Sequence, residues 1–555
     1  MFIRLKERPN GKTSVQIVES IRRGKQVQQK IVRHIGNAVS KEEIEIFRTL
    51  AKDFIRRLKQ ENDRQPMLPY DGPEKLISRI ERNEIPLEEG ESISLEHAQE
   101  EQRFVTGITD VLGNLYDELG YHSLLRGTRK NAQWNAILKA CVLSRLANPT
   151  SKRKTASYLE RDLGITIDLD KIYRMMDHVS THEEHIKRVV CNNTIGLFEQ
   201  SVDVLFFDVT TLYFESFESD ELKRPGFSKD NKFSEVQVML ALVTTHHGLP
   251  VSYYLFPGNT SETQTLLSAV NDLRQNMNVR DVTLVADRAM FSKANLALMD
   301  AEGISYIVAC KLKSLSKKVK DSILNDTYDK CVIENEPCMS NEYEVQGRRL
   351  VVNYSPKRAY KDRSDRDRLI KRMLKKAKSN SKLSIHNVLP NRGTAKYLDM
   401  KNVEDLCIDE AKIAEDARWD GLHGILTNIQ HLSAVELLVR YRGLWQIEEA
   451  FRLNKHDLRM RPIYHWTPDR VKAHIAICYL AYSVAKHALY RLNILSKLPM
   501  SFEQLRNELL HMQASVLRDN STGRLYELPS AKTPVHAQIC KIFGVKFRQS
   551  IRRYK

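Results

Sequence analysis

The fold is decided by a run of four apolar residues followed by a carboxylate, Val204-Leu205-Phe206-Phe207-Asp208. Consecutive apolar residues are typical of a strand that is buried on both faces of a sheet. A similar run at 282–286 is followed by Asp287. The sequence therefore predicts two buried strands, each with an aspartate at its carboxyl end.

The hydrophobic period around this run predicts an alternation of strands and helices. Further strands are predicted at 236–245, 251–256 and 305–309. Helices are predicted at about 261–277, where Ser261 and Gln264 form a capping box, and at 293–301. The resulting order, βββαβαβ, is that of a ribonuclease H-like core. In that core the first and fourth strands are neighbours, so the two aspartates are expected to meet.

A third carboxylate, Glu448, lies on a predicted amphipathic helix from 433 to about 455, which Ser433 and Glu436 open as a capping box. At about 100° per residue, one arc of roughly 80° contains five side chains. They are Tyr441, Leu444, Glu448, Arg452 and Lys455. A carboxylate for a metal beside cations for phosphate suits phosphodiester chemistry. The alternative is a surface helix with a Glu448–Arg452 salt bridge.

Composition favours a polyanionic partner. Lys plus Arg minus Asp plus Glu is 87 − 70 = +17, and the alternative is an ordinary basic soluble protein. The 8 cysteines are scattered without a C-x-x-C, which predicts free thiols in a reducing cytosol rather than a zinc site or disulfides. No signal peptide is recognised, and the best apolar run, 475–485, is too short to span a membrane and predicts a buried helix.

Changes in pattern predict an α/β protein with a ribonuclease H-like catalytic core, a β-rich insertion, a small N-terminal β region and a helical domain. The predicted segments are a small β-sheet plus helix (1–62), a linker (63–104), a helical, DNA-binding domain (105–200), the first part of the core (201–310), a β-rich basic insertion (311–430), the C-terminal helical part of the core (431–495) and a basic C-terminal region (496–555).

Two basic segments are candidates for DNA contact. The helical domain carries Arg126, Arg129, Lys130, Lys152, Arg153 and Lys154, for which a solvated face is the alternative. The insertion is predicted to form an inserted subdomain with strands at 342–345, 349–354 and 424–428. Its basic helix is expected to border nucleic acid and carries Lys357, Arg358, Lys361, Arg363, Arg366, Arg368, Lys371, Arg372, Lys375, Lys376 and Lys378.

The segment 441–455 resembles the signature of bacterial insertion-sequence transposases of the DDE class, in the group named for a Tyr-Arg-Glu-Lys (YREK) pattern. Tyr441, Glu448 and Lys455 have the spacing of that pattern, but Leu444 stands where the arginine belongs. Either Arg442 or Arg452 is a candidate to replace it. The segments 207–213, 227–230, 257–261 and 286–291 are similar to the same family.

The resemblance implies cut-and-paste transposition, with Asp208, Asp287 and Glu448 as ligands of two Mg²⁺ ions, for which Mn²⁺ can substitute. DNA phosphates would be held by Tyr441, Arg442, Arg452, Lys455 and Lys229. Trp419 is a candidate to stack on a flipped base, and the alternative is a core tryptophan. For Lys229, a turn salt bridge with Asp230 is the alternative.

The implied partners are double-stranded DNA with terminal inverted repeats, target DNA and a second copy of the chain in a homodimeric synaptic complex. The expected location is the cytoplasm, in association with the nucleoid, with no membrane partner. Two other functions remain open: a structure-specific nuclease on the same core, and a non-catalytic regulator that binds DNA.

Overall fold

The protein is described from a computed structural model. The residues described are 2–7, 13–23, 26–38, 48, 96–127, 130–197, 204–214, 218–226, 236–260, 262–276, 283–286, 293–333, 336–379, 397–399, 407–496, 498–546 and 550–554. The chain divides into two compact units, Met1–Glu74 and Lys75–Lys555.

The first unit contains an antiparallel sheet in the order β1-β2-β3. Its strands are β1 (Phe2–Glu7), β2 (Thr13–Arg23) and β3 (Gln26–Ala38). Val15 and Val18 of β2 are fully buried. The small β-sheet expected here is therefore present, whereas the helix predicted after it falls outside the described residues apart from Arg48.

The strands of the second unit are β4 (Ala98–Val105), β5 (Val204–Tyr213), β6 (Arg224–Pro225), β7 (Val236–Thr245), β8 (Pro250–Pro257), β9 (Thr283–Ala286), β10 (Ser305–Cys310), β11 (Asp329–Ile333), β12 (Glu336–Val345), β13 (Arg348–Tyr354), β14 (Leu398–Asp399), β15 (Cys407–Ile408), β16 (Leu422–Thr427), β17 (Gln513–Asp519), β18 (Leu525–Pro529) and β19 (Arg552–Tyr554).

Its α-helices are α1 (Gly113–Glu118), α2 (Asn131–Ala147), α3 (Lys152–Leu163), α4 (Leu169–Thr181), α5 (Glu183–Leu197), α6 (Glu262–Asn276), α7 (Lys293–Ala301), α8 (Lys317–Asn325), α9 (Pro356–Ser379), α10 (Glu410–Ala417), α11 (Ala434–Arg442), α12 (Trp445–Arg452), α13 (Pro468–Tyr490), α14 (Phe502–His511) and α15 (Pro534–Ile542). A π-helical turn, Leu453–Asp457, follows α12.

Strand β5 lies inside a large mixed sheet. It runs parallel to β9, with Phe207 opposite Ala286, and β9 runs parallel to β10. On its other side β5 pairs antiparallel with β7, which pairs antiparallel with β8. The predicted adjacency of the first and fourth strands is confirmed.

The strands of the insertion continue this sheet. Strand β16 pairs with the free side of β10, and β13, β12 and β11 follow in that order. The predicted strands at 342–345, 349–354 and 424–428 correspond to β12, β13 and β16, the last of which ends at Thr427. These inserted strands extend the sheet of the core, because β16 covers the edge of β10, whose backbone groups would otherwise lack partners.

Helices cover both faces of the inner part of the sheet. Successive side chains of a strand face opposite sides. Accordingly, Phe206 packs in a core with α12 and α13, whereas Phe207 packs in a second core with α6 and α7. The arrangement is a layered α/β fold in which β5 is buried between two helical layers.

The helical region before β5 corrects one expectation about its cations. Helix α2 buries Trp134, Leu138, Val142 and Leu146, which recur every four residues along one face. Lys152, which was expected on a DNA-binding or solvated face, is only 3% exposed. Burial, with the nearby Arg145 guanidinium, lowers the pKa of Lys152 to about 8. A charge run in the sequence does not reveal which of its members turns inward.

The expected linker and the C-terminal region also form structure together. Strand β4, which was expected as linker, pairs with β17 in a sheet whose described strands have the order β19-β18-β17-β4. Thr106, just beyond β4, donates its backbone N–H to the carbonyl of Met512 at 2.8 Å. The linker assignment is therefore wrong for 98–104, because β17, far along the chain, pairs with the backbone of this segment.

The apolar run 475–485 lies in α13, and all its residues are buried. This confirms the predicted buried helix. Within the described parts of the chain, no helix is both long and apolar enough to cross a bilayer.

Candidate catalytic site on strand β5

Asp208 lies inside β5 rather than at its end. The strand continues to Tyr213 because its antiparallel pairing with β7 continues to that residue. The Asp208 side chain is half-buried, and its Oδ1 accepts a hydrogen bond from the backbone N–H of Val209 at 2.8 Å. The carboxylate is thereby oriented one residue beyond Phe207, which is paired with Ala286.

Asp287 and Lys229 lie outside the described residues. Asp287 follows Ala286 directly in sequence, as Asp208 follows Phe207, and these two preceding residues are partners in the parallel ladder. The described part of the sheet therefore aligns the positions from which both aspartates continue.

The predicted helix from 433 to 455 is divided into α11 and α12. Its capping box is confirmed, since Ser433 N donates to Glu436 Oε2 at 2.8 Å and Glu436 N donates to Ser433 Oγ at 3.3 Å. The break falls at Gly443, where a Cβ would lie 2.5 Å from Cζ of Phe206. Close approach to β5 requires glycine there, and the expected stripe does not lie on one straight helix.

The end of this helical segment contacts β5 a second time. The ammonium group of Lys455 donates to Thr210 Oγ1. Because side chains alternate along a strand, Thr210 and Asp208 face the same side of the sheet. The contacts made by Gly443 and Lys455 thus bracket Glu448 on the helix and Asp208 on the strand.

Glu448 is exposed and lines a cleft of about 1500 Å³. Tyr441 and Leu444 line the cleft beside it. Cations of α9 also line it, namely Lys357, Arg358 and Lys361. Asp208 does not line this cleft, so Glu448 is the member of the described carboxylate pair that opens into it.

Arg442 and Tyr441 are held by the inserted strands. Arg442 Nη1 donates to the carbonyl of Ile333 at 3.1 Å and lies 3.7 Å from Glu336 Oε2. A hydrogen bond from Lys357, its charge and that of Arg442 lower the pKa of Glu336. The Tyr441 ring lies 5.1 Å from that of His423. Arg442 therefore helps to dock α11 against β11 and β12.

Arg452 lies apart from this cleft. It is exposed and lines a smaller pocket of about 250 Å³, together with Trp445 and Glu449. Glu449 faces the buried Lys486, with 3.7 Å between Oε2 and Nζ. The structure thus brings Tyr441, Leu444 and Glu448 to one cavity and Arg452 to another.

Trp419 is 9% exposed, packs in the core on the α6 and α7 side of the sheet and also lines the large cleft. This placement is that of a core tryptophan at the border of the cavity.

Sequence reasoning missed a buried ion pair in the basic helix. Arg366, one of the cations expected to border nucleic acid, donates from Nη1 and Nη2 to the two carboxylate oxygens of Asp420, both at 2.6 Å. Hydrogen bonding to Asp420 raises the pKa of Arg366. No local pattern distinguishes Arg366 from its exposed neighbours, because its partner is 54 residues away.

Sequence reasoning also missed Arg461, whose guanidinium carbon lies 5.0 Å from the centre of the Tyr213 ring at the end of β5.

Among the residues described, no group of three His, Cys, Asp or Glu side chains is arranged to hold a metal ion. Asp208 and Glu448 supply two of the three expected carboxylates, and Asp287 is not among those residues.

Comparison with known families gives two matches. The family model described as the transposase DDE domain matches residues 200–484, and that described as the IS1634 family transposase N-terminal domain matches residues 3–66. The first match covers 484 − 200 + 1 = 285 of the 555 residues, which is more than half of the chain.

Among solved structures, two complexes are similar to part of the chain: the Mos1 transposase paired-end complex with left transposon end, and the Mos1 mariner paired end complex with Mn. Their identities are 12% and 11%; each comparison covers 31% of this chain and 57% of the other, with a TM-score of 0.14. The matches thus span little more than half of those chains, and their TM-score supports no structural argument. No curated protein matches the chain.

Proposed function

Because this chain belongs to the family of transposases with a DDE domain, we propose that it is the DNA transposase of an insertion sequence. It binds the terminal inverted repeats of its element, cleaves the strands there and joins them to target DNA in cut-and-paste transposition. The observation that carries the proposal is the bracketing of Asp208 and Glu448 by the contacts of Gly443 with Phe206 and of Lys455 with Thr210.

The strand order supports a ribonuclease H-like catalytic core. From β8 through β7, β5 and β9 to β10, two antiparallel pairings are followed by two parallel ones. Carboxylates that follow neighbouring parallel strands can meet across the sheet, and a helix packed over the sheet can supply a third. Asp208, Asp287 and Glu448 have these three origins.

The donor set fits a hard divalent cation. Carboxylate oxygens suit Mg²⁺ or Mn²⁺, and Asp208 is already oriented by Val209 N–H while Glu448 opens to solvent. The three carboxylates would hold two ions. Bound there, two ions stabilise the attacking and the leaving oxygens of an in-line phosphoryl displacement.

Lys455 and Tyr441 are proposed to hold phosphates beside the carboxylates, as in the Tyr-Arg-Glu-Lys group. Lys455 is already beside β5 through Thr210, and an ammonium group stabilises phosphate as a point charge. Leu444 removes the arginine of that pattern. The contacts of Arg442 with Ile333 and Glu336 favour a docking role over a phosphate contact.

Three further DNA contacts are proposed, by Arg452, Lys229 and Trp419. Arg452 would contact DNA at the second pocket, away from Glu448. Lys229 remains a candidate phosphate ligand. Trp419 lines the large cleft, where it would contact a flipped base. Coupled joining of two element ends to target DNA requires both ends in one complex, for which a homodimer is the simplest assembly.

The test uses purified full-length protein, Mg²⁺ and a DNA fragment that carries both ends of the resident element. Asp208→Asn and Glu448→Gln remove a ligand charge while they preserve shape. Each is expected to lower the rates of cleavage and joining by about 10³-fold or more, since metal stabilisation of the transition state contributes several kcal/mol. Glu160→Gln, an exposed carboxylate on α3, is the matched control and should retain both activities.

Joined products from wild type and Glu160→Gln alone would support the proposal. Nicks without joined products from wild type would favour a structure-specific nuclease. DNA binding with no product from any of the proteins would overturn catalysis and leave a DNA-binding regulator.

A further inference from the structure

Two large aromatic side chains are exposed together in the segment that connects the π-helical turn to α13. Tyr464 is 61% exposed and Trp466 is 67% exposed, whereas the alternating Ile463 and His465 are 6% and 9% exposed. In extended backbone, residues two apart face the same side and lie about 6.6 Å from each other. We call Tyr464 and Trp466 the aromatic ledge.

Buried side chains bind the backbone that precedes the ledge. Arg145 Nη1 donates to the carbonyls of Leu458 and Arg459 at 3.4 and 3.3 Å, and His474 Nε2 lies 3.0 Å from the carbonyl oxygen of Met460. These bonds fix the backbone that leads into the ledge. A surface that is already ordered loses little conformational entropy when it binds.

Contacts at the ledge itself are also buried. The ring of His465 lies 6.2 Å from that of Tyr173 and 5.4 Å from that of His474. Lys223 Nζ donates to the carbonyl oxygen of Trp466 at 2.8 Å. The inward-facing residues therefore fix the segment in place. The rings of Tyr464 and Trp466 do not take part in this packing and are exposed.

The surroundings of the ledge are cationic. Segment 459–472 contains four cations, Arg459, Arg461, Arg470 and Lys472, against a single carboxylate, Asp469. Arg459 is exposed. Arg470 forms an ion pair with Asp177, with 3.1 Å between Nε and Oδ1. This pair helps to fix the segment and adds little positive charge to its surface. A positive surface with flat aromatic faces complements a polyanion that carries aromatic rings.

The ledge is connected to the strand of the catalytic site. Arg461 packs on Tyr213, which is five residues beyond Asp208 on β5. Residues five apart on a strand face opposite sides of a sheet, so the Tyr213 ring does not share the face of the Asp208 carboxylate. The contact of Arg461 with Tyr213 therefore joins the segment of the ledge to the end of β5.

We propose that Tyr464 and Trp466 stack on unpaired bases of the DNA that the protein binds. This inference rests on the proposed function and adds a substrate feature to it, an unpaired stretch of DNA at the ledge. Bases in an intact duplex have their faces covered by neighbouring pairs, so flat exposed rings select bases that have left the stack.

The test measures binding in EDTA, so that cleavage does not interfere. Full-length protein is titrated into a short fluorescein-labelled single-stranded oligodeoxynucleotide and into the same strand with abasic sites, which keeps the phosphates and removes the bases. Wild type is expected to bind the base-containing strand more tightly by about 5- to 150-fold for each stacked base. Tyr464→Ala with Trp466→Ala should remove this difference, and Trp466→Phe should keep most of it.

Leu495→Ala is the matched control, because Leu495 is an apolar side chain with a similar exposure of 61% outside the ledge. It should leave the base dependence unchanged. Equal affinity of wild type for the two strands would overturn the ledge, as would an equal loss of affinity for both strands in the alanine variant. Joined products in the transposition assay are scored separately, so either proposal can fail alone.

Discussion

Strands β7 and β12 each have ten residues, yet β7 buries all ten whereas β12 buries only Cys338 and Ser340. β7 lies next to β5, between helical layers on both faces of the sheet. β12 belongs to the insertion and leaves Pro337, Glu342 and Glu344 exposed. Continuous burial is the pattern of a strand that is covered on both faces, whereas β12 is only partly covered.

This contrast separates two contributions to one site. The inner strands hold Asp208 in a fixed backbone, since neither face of β5 can shift without disturbing a core. The outer strands support the docking of α11 through Arg442, and α9 adds cations to the cleft. We expect inner substitutions to act on folding and outer ones on DNA binding.

The largest effect is expected from Phe207→Ala. Phe207 is fully buried beside Asp208, and a cavity there should lower the free energy of unfolding by about 3 to 5 kcal/mol. Tyr343→Ala on β12, where the ring is half-exposed, is the control and should cost about 1 kcal/mol or less. Urea denaturation measures both, and equal losses would remove the contrast between the two strands.

Arg366→Ala tests the exception within the outer region. It leaves the nearly buried Asp420 carboxylate without its bidentate partner, for an expected loss near the lower end of about 3 to 5 kcal/mol. Arg368→Ala, on the same helix and 67% exposed, should leave stability unchanged. It should instead lower DNA affinity and reduce the salt dependence of binding by about one phosphate contact. Thermal unfolding and titrations at several salt concentrations distinguish the two.

Lys152→Met extends the contrast to a buried cation of the helical region. The pKa of Lys152 is 10.5 when unfolded and about 8 when folded, so between these values the unfolded chain binds more protons. The free energy of unfolding should therefore rise with pH across that window, and the full cost, no more than about 3 kcal/mol, applies below it. The methionine variant should be more stable at neutral pH, and its advantage should vanish near pH 10.5. Urea denaturation across this range checks both; Lys154→Met, on the exposed side of α3, should show no such trend.

Gly443→Ala should have the smallest effect on stability and a clear one on activity. Its Cβ meets Phe206 at 2.5 Å, and overpacking of this kind costs about 1 to 3 kcal/mol. Displacement of α12 moves Glu448 relative to Asp208. The rate of DNA cleavage should therefore fall by a larger factor than the loss of folding stability alone would cause. Gly196→Ala in α5, where a Cβ meets nothing within 4 Å, should be neutral or stabilising. Normal cleavage by the Gly443 variant would show that this approach does not position the helix.

Local signals predicted the inner region well. The strand predicted at 236–245 is β7 itself, and the order of strands and helices led to the adjacency of β5 and β9. The capping box of Ser433 and Glu436 also formed. Periodicity and capping depend on neighbours in sequence, so a single chain reveals them.

What the sequence did not reveal depends on distant partners. The break at Gly443 reflects Phe206, the burial of Arg366 reflects Asp420, and β4 is a strand because β17 pairs with it. The exposure of the aromatic ledge likewise emerges only after its neighbours are buried. The roles of Asp287 and Lys229 remain predictions.

The pairing of β4 with β17 can form only late in synthesis of the chain. Thr106 and Met512, which join the two strands at one end, are 406 residues apart in sequence. At about 5 to 20 residues per second, a ribosome makes β17 about 20 to 80 s after β4 has emerged. Through that interval β4 lacks this partner, and a product interrupted before β17 keeps an open strand edge that favours aggregation. An incomplete chain therefore exposes backbone groups of β4 that β17 pairs in the finished chain.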